Sequence, residues 1–173
     1  ALGDICGKGI SAALLMANLQ ATLRSNLLGR GLQTGSDEDG ANVAGMVRVL
    51  NQQIYNFTSA NKFASLFYAI YDDSQSNLTY CNAGHNPPLY FTDHGFQRLA
   101  RGGTVVGVFP DAEFEQETIQ LRHGDILLAY TDGIIESVNE YGEEFGEQRL
   151  IDLVQRRRDL TADQLQKAIV DEV

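Results

Sequence analysis

Cysteine is scarce in this chain. Cys6 and Cys81 are the only two in 173 residues; they make no disulfide framework, and no C-x-x-C pair offers metal-type spacing. A reducing cytoplasm is the compartment that follows most simply. Basic residues are outnumbered too, 13 against 23 acidic ones, for a formal charge of −10. Such a surface repels phosphate backbones and argues against nucleic acid as a partner. Action on a phosphorylated substrate would need cations to offset the chain's own field. No apolar run approaches the roughly 20 residues of a membrane helix, so no membrane segment is expected. The first residues carry Asp4 and several glycines where a signal peptide has a basic start and an apolar core. An initiating Met is missing and Ala1-Leu2 reads as the end of a strand, so a fragment of a longer chain is expected. Repeats, low-complexity tracts and linkers are missing as well, which leaves one domain over residues 1–173.

What is present is globular: 43% hydrophobic and 21% charged residues. Ile10 to about Leu28 contains no Gly or Pro and favours helix. Ile10, Ala13, Leu14, Ala17 and Ala21 form its expected apolar stripe, and Gly29 and Gly31 end it. Gly31 to Gly40 reads as a polar surface loop, and Ala41 to about Phe57 as a second helix with Val43, Met46, Val47, Leu50 and Ile54 inward. A β region follows. Phe63–Tyr71 and Leu78–Asn82 read as a hairpin around the polar turn Asp72–Asn77. Leu89–Thr92 and Phe96–Leu99 read as another around Asp93-His94-Gly95, and Phe114–Leu121 as a further strand. Ile126–Tyr130, nearly all apolar after Gly124-Asp125, reads as a strand covered on both faces, although a buried helix segment fits the same run. Val138–Gly142 is a loop. Phe145–Arg158 reads as a helix with Phe145, Leu150, Leu153 and Val154 apolar. Thr161–Val173 is a final helix with a capping box, Thr161-x-x-Gln164. Adjacent strands between pairs of helices give an α+β pattern with an antiparallel sheet.

Two carboxylates share a setting. Asp4 and Asp132 each follow an apolar run and precede a glycine-containing turn. Each must be solvated, paired or bound to a cation, because burying a bare carboxylate costs several kcal/mol. Hard cations such as Mg²⁺ and Mn²⁺ prefer carboxylate, carbonyl and water oxygens. Two such ions about 3.5–4 Å apart can activate a water and clamp a phosphoryl oxygen; two unrelated turn aspartates explain the pattern equally well. Gly3–Gly9 is not a P-loop: Leu2 stands where the first glycine belongs, and Gly9 replaces the Ser/Thr. Lys8 reads as solvated. His85 sits in a rigid turn with Pro87 and Pro88 and reads as bonding backbone; His94 and His123 read as exposed. Cys6, beside Asp4, reads as a small buried residue rather than a thiolate. No Ser-His-Asp or Cys-His arrangement stands out.

The stretch Asp4-Ile5-Cys6-Gly7-Lys8-Gly9-Ile10-Ser11-Ala12-Ala13-Leu14-Leu15-Met16 resembles the DVSGKGxxAALLM signature of the bacterial SpoIIE-like branch of the metal-dependent type 2C (PPM) protein serine/threonine phosphatases. Ala83-Gly84-His85-Asn86-Pro87-Pro88, Gly102-Gly103 with Val106-Gly107, and Tyr130-Thr131-Asp132-Gly133-Ile134-Ile135-Glu136 match later signatures in order. Asn139, Gly142, Phe145, Gly146 and Leu150 continue the match, so the resemblance covers essentially the whole chain. It implies a sandwich of two antiparallel β-sheets flanked by helices, with a Mn²⁺/Mg²⁺ pair at one edge. It implies Asp4 and Asp132 as catalytic metal ligands, the Ile5 carbonyl as another ligand, and Gly133, Gly7 and His85 as residues that shape the site, with Gly133 permitting the turn. The implied reaction is dephosphorylation of phosphoserine or phosphothreonine by a metal-activated water, without a phosphoenzyme. The implied substrate is a phosphorylated anti-sigma-factor antagonist or similar phosphoprotein. The helices from Ile10 and Ala41 resemble regulatory switch helices that answer to an upstream sensor domain.

The chain departs from the family pattern at both ends. Family members carry a Gly-Gly-Asp-type acidic strand upstream of Asp4 and an Asp-Asp-containing strand beyond Val173. The expectation is therefore a domain incomplete at both ends, with weak metal binding, altered strand partners or segments swapped in a homodimer as consequences. The reading from a different class is a non-catalytic phosphatase-like module that binds a partner or relays a signal.

Overall fold

The computed structural model describes residues 1–30, 42–57 and 62–173. In chain order these form β1 (Leu2–Ile5), α1 (Ile10–Arg30), α2 (Val43–Phe57), β2 (Ala64–Asp72), β3 (Asn77–Ala83), β4 (Leu89–Thr92) and β5 (Gly95–Arg98). They continue with β6 (Gly102–Gly103), β7 (Glu117–Gln120), β8 (Ile126–Leu128), α3 (Asp132–Ile135), α4 (Glu147–Arg156) and α5 (Ala162–Glu172). The chain divides into two units, Ala1–Pro87 with Leu99–His123, and Pro88–Arg98 with Gly124–Val173. The polar loop expected from Gly31 to Gly40, like the terminating role of Gly31 and the start of the second helix at Ala41, lies outside the described residues.

The first unit is built on the hairpin of β2 and β3, paired from Leu66–Ala83 to Asp72–Asn77. β1 lies antiparallel along the outer edge of β2, with Asp4 opposite Ser65 and Ile5 opposite Ala64. The other edge of β3 takes β7 antiparallel and the two residues of β6 in parallel. A Cβ on Gly102 would stand 1.8 Å from the Asn82 carbonyl oxygen, so only glycine lets β6 approach β3 this closely. The core joins Ile5, Ala64, Leu66, Tyr68, Cys81 and Val106 to the two helices. On α2 the five expected residues, Val43, Met46, Val47, Leu50 and Ile54, are all buried, and Arg48, Gln52 and Asn56 mark the opposite, exposed face. α1 departs from expectation. It packs through Leu15 and Leu19, with Ala12, Met16 and Leu23 alongside, while Ile10 and Leu14 are 82% and 62% exposed. Apolar residues lie all round α1, so periodicity selects no face.

The second unit carries a three-stranded antiparallel sheet in the order β5-β4-β8. Leu89 and Phe91 of β4 pack with Tyr130, Phe145, Leu150, Ile151, Val154, Leu165 and Ile169. The strand expected over Ile126–Tyr130 is shorter and less covered than its composition suggests. β8 stands at the sheet's edge with Leu127 39% exposed, and Ile126 and Leu128 pack against the core from one side. The expected loop at Val138–Gly142 is present and closed at its base: Val138 bridges Glu144, and the Gly142 amide donates to the Asn139 carbonyl at 3.0 Å. At the start of α5 the capping box is complete. Thr161 Oγ1 accepts from the Gln164 amide, and Gln164 Oε1 accepts from the Thr161 amide at 3.1 Å. Among the described residues no helix is long and apolar enough to cross a membrane.

Candidate functional site

Asp4 lies inside β1, an exposed carboxylate on the strand rather than in the turn after it. The ladder on either side fixes which way the neighbouring backbone points. Ala64 exchanges both backbone hydrogen bonds with Val106, at 3.0 and 2.9 Å, and the Cys6 amide donates to the Phe63 carbonyl at 2.9 Å. Antiparallel pairs alternate between bonded and non-bonded, so Asp4 bonds Ser65 through its backbone while the Ile5 amide and carbonyl turn away from β2. Among the described residues β1 ends the strand order, with the Ile5 carbonyl on its outer side. The Ile5 side chain is buried in the core and anchors the strand beside Asp4.

The turn after β1 uses glycine for its backbone. Gly7 has φ +102°, and a Cβ there would stand 2.8 Å from Lys62 Nζ; conformation and space both require glycine. Lys8 is exposed, as expected. Cys6 is half-buried rather than a core residue, whereas Cys81 is buried and its thiol is pushed up to about 11 by burial.

His85 is buried. Its ring Nδ1 lies 2.8 Å from Ser65 Oγ, a side-chain contact. Its backbone is bonded by a side chain as well: the His85 amide donates to Asn82 Oδ1 at 2.8 Å, and Asn82 Nδ2 donates to the His85 carbonyl at 3.0 Å. His94 and His123 are exposed.

Asp132 is the first residue of the short helix α3, preceded by Thr131 in an extended conformation. Its carboxylate is exposed. The turn expected from Asp132-Gly133 is therefore helical. Gly133 has no positive φ, and a Cβ there would meet only Thr131 Oγ1 at 3.8 Å, so neither shape nor space requires glycine. The Glu136 amide closes the helix on the Asp132 carbonyl at 2.8 Å, and the Gly146 amide donates to the Ile135 carbonyl at 2.8 Å.

Two residues before Asp132, Tyr130 belongs to a network that sequence reasoning did not find. Tyr130, 6% exposed, donates its hydroxyl to Glu147 Oε1 at 2.7 Å, and Arg98 Nε donates to Glu147 Oε2 at 3.0 Å. The Arg98 guanidinium, with help from the Tyr130 hydroxyl, holds the Glu147 carboxyl below its ordinary range against the opposing effect of burial. Burial, and then the neighbouring Glu147, push the Tyr130 phenol up. The three residues come from β5, the segment after β8 and the start of α4, so no local spacing announces them.

Asp4, Ile5, Gly7 and His85 belong to the first unit, and Asp132 and Gly133 to the second. Among the described residues, no group of three or more His, Cys, Asp or Glu side chains forms a cation cage. Within each unit the donors suit hard cations by their chemistry, being all oxygen: the Asp4 carboxylate and Ile5 carbonyl in the first, and the Asp132 carboxylate in the second.

The family profile described as "Stage II sporulation protein E (SpoIIE)" matches residues 1–173. The chain belongs to the SpoIIE family. Among known proteins it is 31% identical over 144 residues to "Phosphoserine phosphatase RsbU" of Bacillus subtilis, covering 82% of this chain and 40% of that protein. It is 29% identical over 169 residues to "Protein IcfG" of Synechocystis sp., covering 87% of this chain and 27% of that protein. The SpoIIE-family chain thus spans well under half the length of these relatives. A crystal structure of the RsbU and RsbW domains of a Mycobacterium tuberculosis protein superposes with a TM-score of 0.75 at 23% identity, over 99% of this chain and 47% of that one. The catalytic domain of the serine/threonine protein phosphatase PstP, solved with two manganese ions, gives 0.64 at 12% identity, over 98% and 80%. These likenesses establish the expected fold, α+β with two antiparallel sheets flanked by helices, of the type 2C phosphatase kind.

Proposed function

We propose that this SpoIIE-family chain is a catalytic domain that removes phosphate from phosphoserine or phosphothreonine on a regulatory protein, with residues 1–173 acting as one domain. The observation that carries the proposal is the family match along the full 173 residues. Kinship with a phosphoserine phosphatase supports the reaction. The substrate we assign is a phosphorylated anti-sigma-factor antagonist or similar phosphoprotein. An upstream sensor domain acting through α1 and α2, assembly as a homodimer and a cytoplasmic setting belong to the same proposal.

In this reading Asp4 and Asp132 are the carboxylate ligands of Mn²⁺ or Mg²⁺, with the Ile5 carbonyl beside Asp4. When bound, such a pair supplies Lewis-acid stabilisation of phosphoryl oxygens and a water of lowered pKa. The chain's own contribution is to hold the ligands in place. Ile5 pins β1 through the core, Gly7 allows the chain to turn beside Asp4, and the Tyr130–Glu147–Arg98 network holds the segment that leads into Asp132. With a formal charge of −10, the chain repels a phosphoprotein unless cations intervene, which favours a site that holds them.

Phosphate release from a phosphoserine protein in the presence of Mn²⁺ tests the proposal. Asp132→Asn is expected to abolish release while leaving the thermal midpoint in EDTA unchanged. A variant that keeps its rate removes Asp132 from the ligand set. Failure of the wild-type protein both to bind Mn²⁺ in calorimetry and to release phosphate would leave the non-catalytic, partner-binding reading.

A further inference from the structure

Ser65 has no part assigned above, and the site-shaping role expected of His85 has no stated mechanism, yet the two side chains meet on the strand beside Asp4. Ser65 is directly opposite Asp4 in the β1–β2 register. Opposed residues of an antiparallel pair send their side chains from the same face, with Cβ atoms about 4.5–5.5 Å apart. Ser65 Oγ does not stand alone there, because His85 Nδ1 lies 2.8 Å from it. His85 is 6% exposed, and the Asn82 amide holds its backbone from both sides. Gly84, with φ +71° and Val105 Cγ1 2.6 Å from where a Cβ would stand, closes the turn tightly just before it. A residue needed only to fill this space would be apolar, since a buried imidazole brings polar atoms that need partners. The turn Asn82–His85 thus presents a fixed ring nitrogen to one hydroxyl, and that hydroxyl shares a sheet face with Asp4.

We propose that His85 and Ser65 are a positioning pair for the ion held by Asp4. The imidazole fixes the Ser65 hydroxyl on the Asp4 face, where the hydroxyl bonds the water shell of that ion. Partners of this kind orient what a first ligand binds, and their loss typically weakens metal binding by about 10- to 100-fold. The inference rests on Asp4 being a ligand, so its test carries Asp4→Asn as a separate arm.

Calorimetry with Mn²⁺ on the intact protein provides the readout, alongside the thermal midpoint of each variant in EDTA. Ser65→Ala is expected to raise the Mn²⁺ Kd by about 10- to 100-fold with an unchanged midpoint, and Ser65→Thr, which keeps a hydroxyl, to bind as the wild type does. His85→Gln is expected to match Ser65→Ala, and the double variant to be no weaker than either single one, because the two act in series. A wild-type Kd in Ser65→Ala, with binding lost in Asp4→Asn, overturns the pair and leaves Asp4 as a ligand. Additive losses in the double variant overturn it as well, since His85 would then act independently of Ser65. Unchanged binding in Asp4→Asn, or no binding by the wild type, removes the ligand reading and the pair with it.

Discussion

Tyr130 and Glu147 are joined by a 2.7 Å hydrogen bond from phenol to carboxylate, which ties the residue two before Asp132 to the first residue of α4. Tyr130→Phe keeps the ring in the core and removes that bond alone. A hydrogen bond to a charged group is worth about 1.5–3 kcal/mol, and a loss in this range is expected from urea unfolding. Glu147→Gln is expected to cost less through Arg98, because that ion pair is 47% and 28% exposed at its two side chains and exposed pairs contribute about 1 kcal/mol or less.

Alkaline pH should destabilise the fold. Tyr80 and Tyr130 both have phenols raised above the ordinary value, first by burial and then by a hydrogen-bonded carboxylate, Glu117 and Glu147 respectively. A raised folded-state pKa gives stability that is complete below the unfolded value, about 10 for tyrosine, and is lost as pH rises beyond it. Thermal midpoints should therefore fall from about pH 10 upward, and Tyr80→Phe with Tyr130→Phe should flatten the decline. An equally steep decline in the double variant would place its origin elsewhere.

Asn51 should tolerate no apolar replacement. It is completely buried on α2, accepts from the Gly107 amide at 2.8 Å and donates to the Phe109 carbonyl at 2.8 Å. Asn51→Leu keeps the branched shape with some added bulk and strands both backbone groups, at about 1–3 kcal/mol each where they stay dry. Denaturant unfolding of this variant should show a fall of that size. A near-neutral outcome would mean that water replaces the amide.

Two glycines from the family signatures should respond in opposite ways to alanine. Gly102→Ala drives a Cβ into the Asn82 carbonyl and should abolish soluble folded protein. Gly133→Ala meets only an ordinary contact in a helix and should hold or raise stability by roughly 0.5–1 kcal/mol, the usual gain of alanine over glycine there. The soluble yield of Gly102→Ala and the circular-dichroism melt of Gly133→Ala decide the two cases.

The parts of the fold legible in the sequence are those where local chemistry leaves one choice. On α2, Arg48, Gln52 and Asn56 line one face and leave Val43, Val47, Leu50 and Ile54 to the core. Thr161 and Gln164 announce the start of α5 at the correct residue. The polar turns between β2 and β3 and between β4 and β5 set both hairpins. α1 was not legible in the same way, because a helix apolar on every side gives no sign of which side is covered. β8 misled for a related reason: an apolar run states that burial is favourable, not how many neighbours supply it. At the site, the motifs mark Asp4, His85 and Asp132 as positions. That Ser65 bonds the His85 ring, or that Glu147 reaches Tyr130 and Arg98, depends on strand register and helix placement that no short window contains.

The division of the chain has a consequence for dissection. Backbone passes from one unit to the other at Pro87–Pro88, at Arg98–Leu99 and again at His123–Gly124. Each unit is thus assembled from two separated stretches, and no single cut, genetic or proteolytic, releases either one whole. Nicking between Arg98 and Leu99 is expected to yield two fragments that remain associated and melt together, like a split reporter whose halves hold parts of the same two cores.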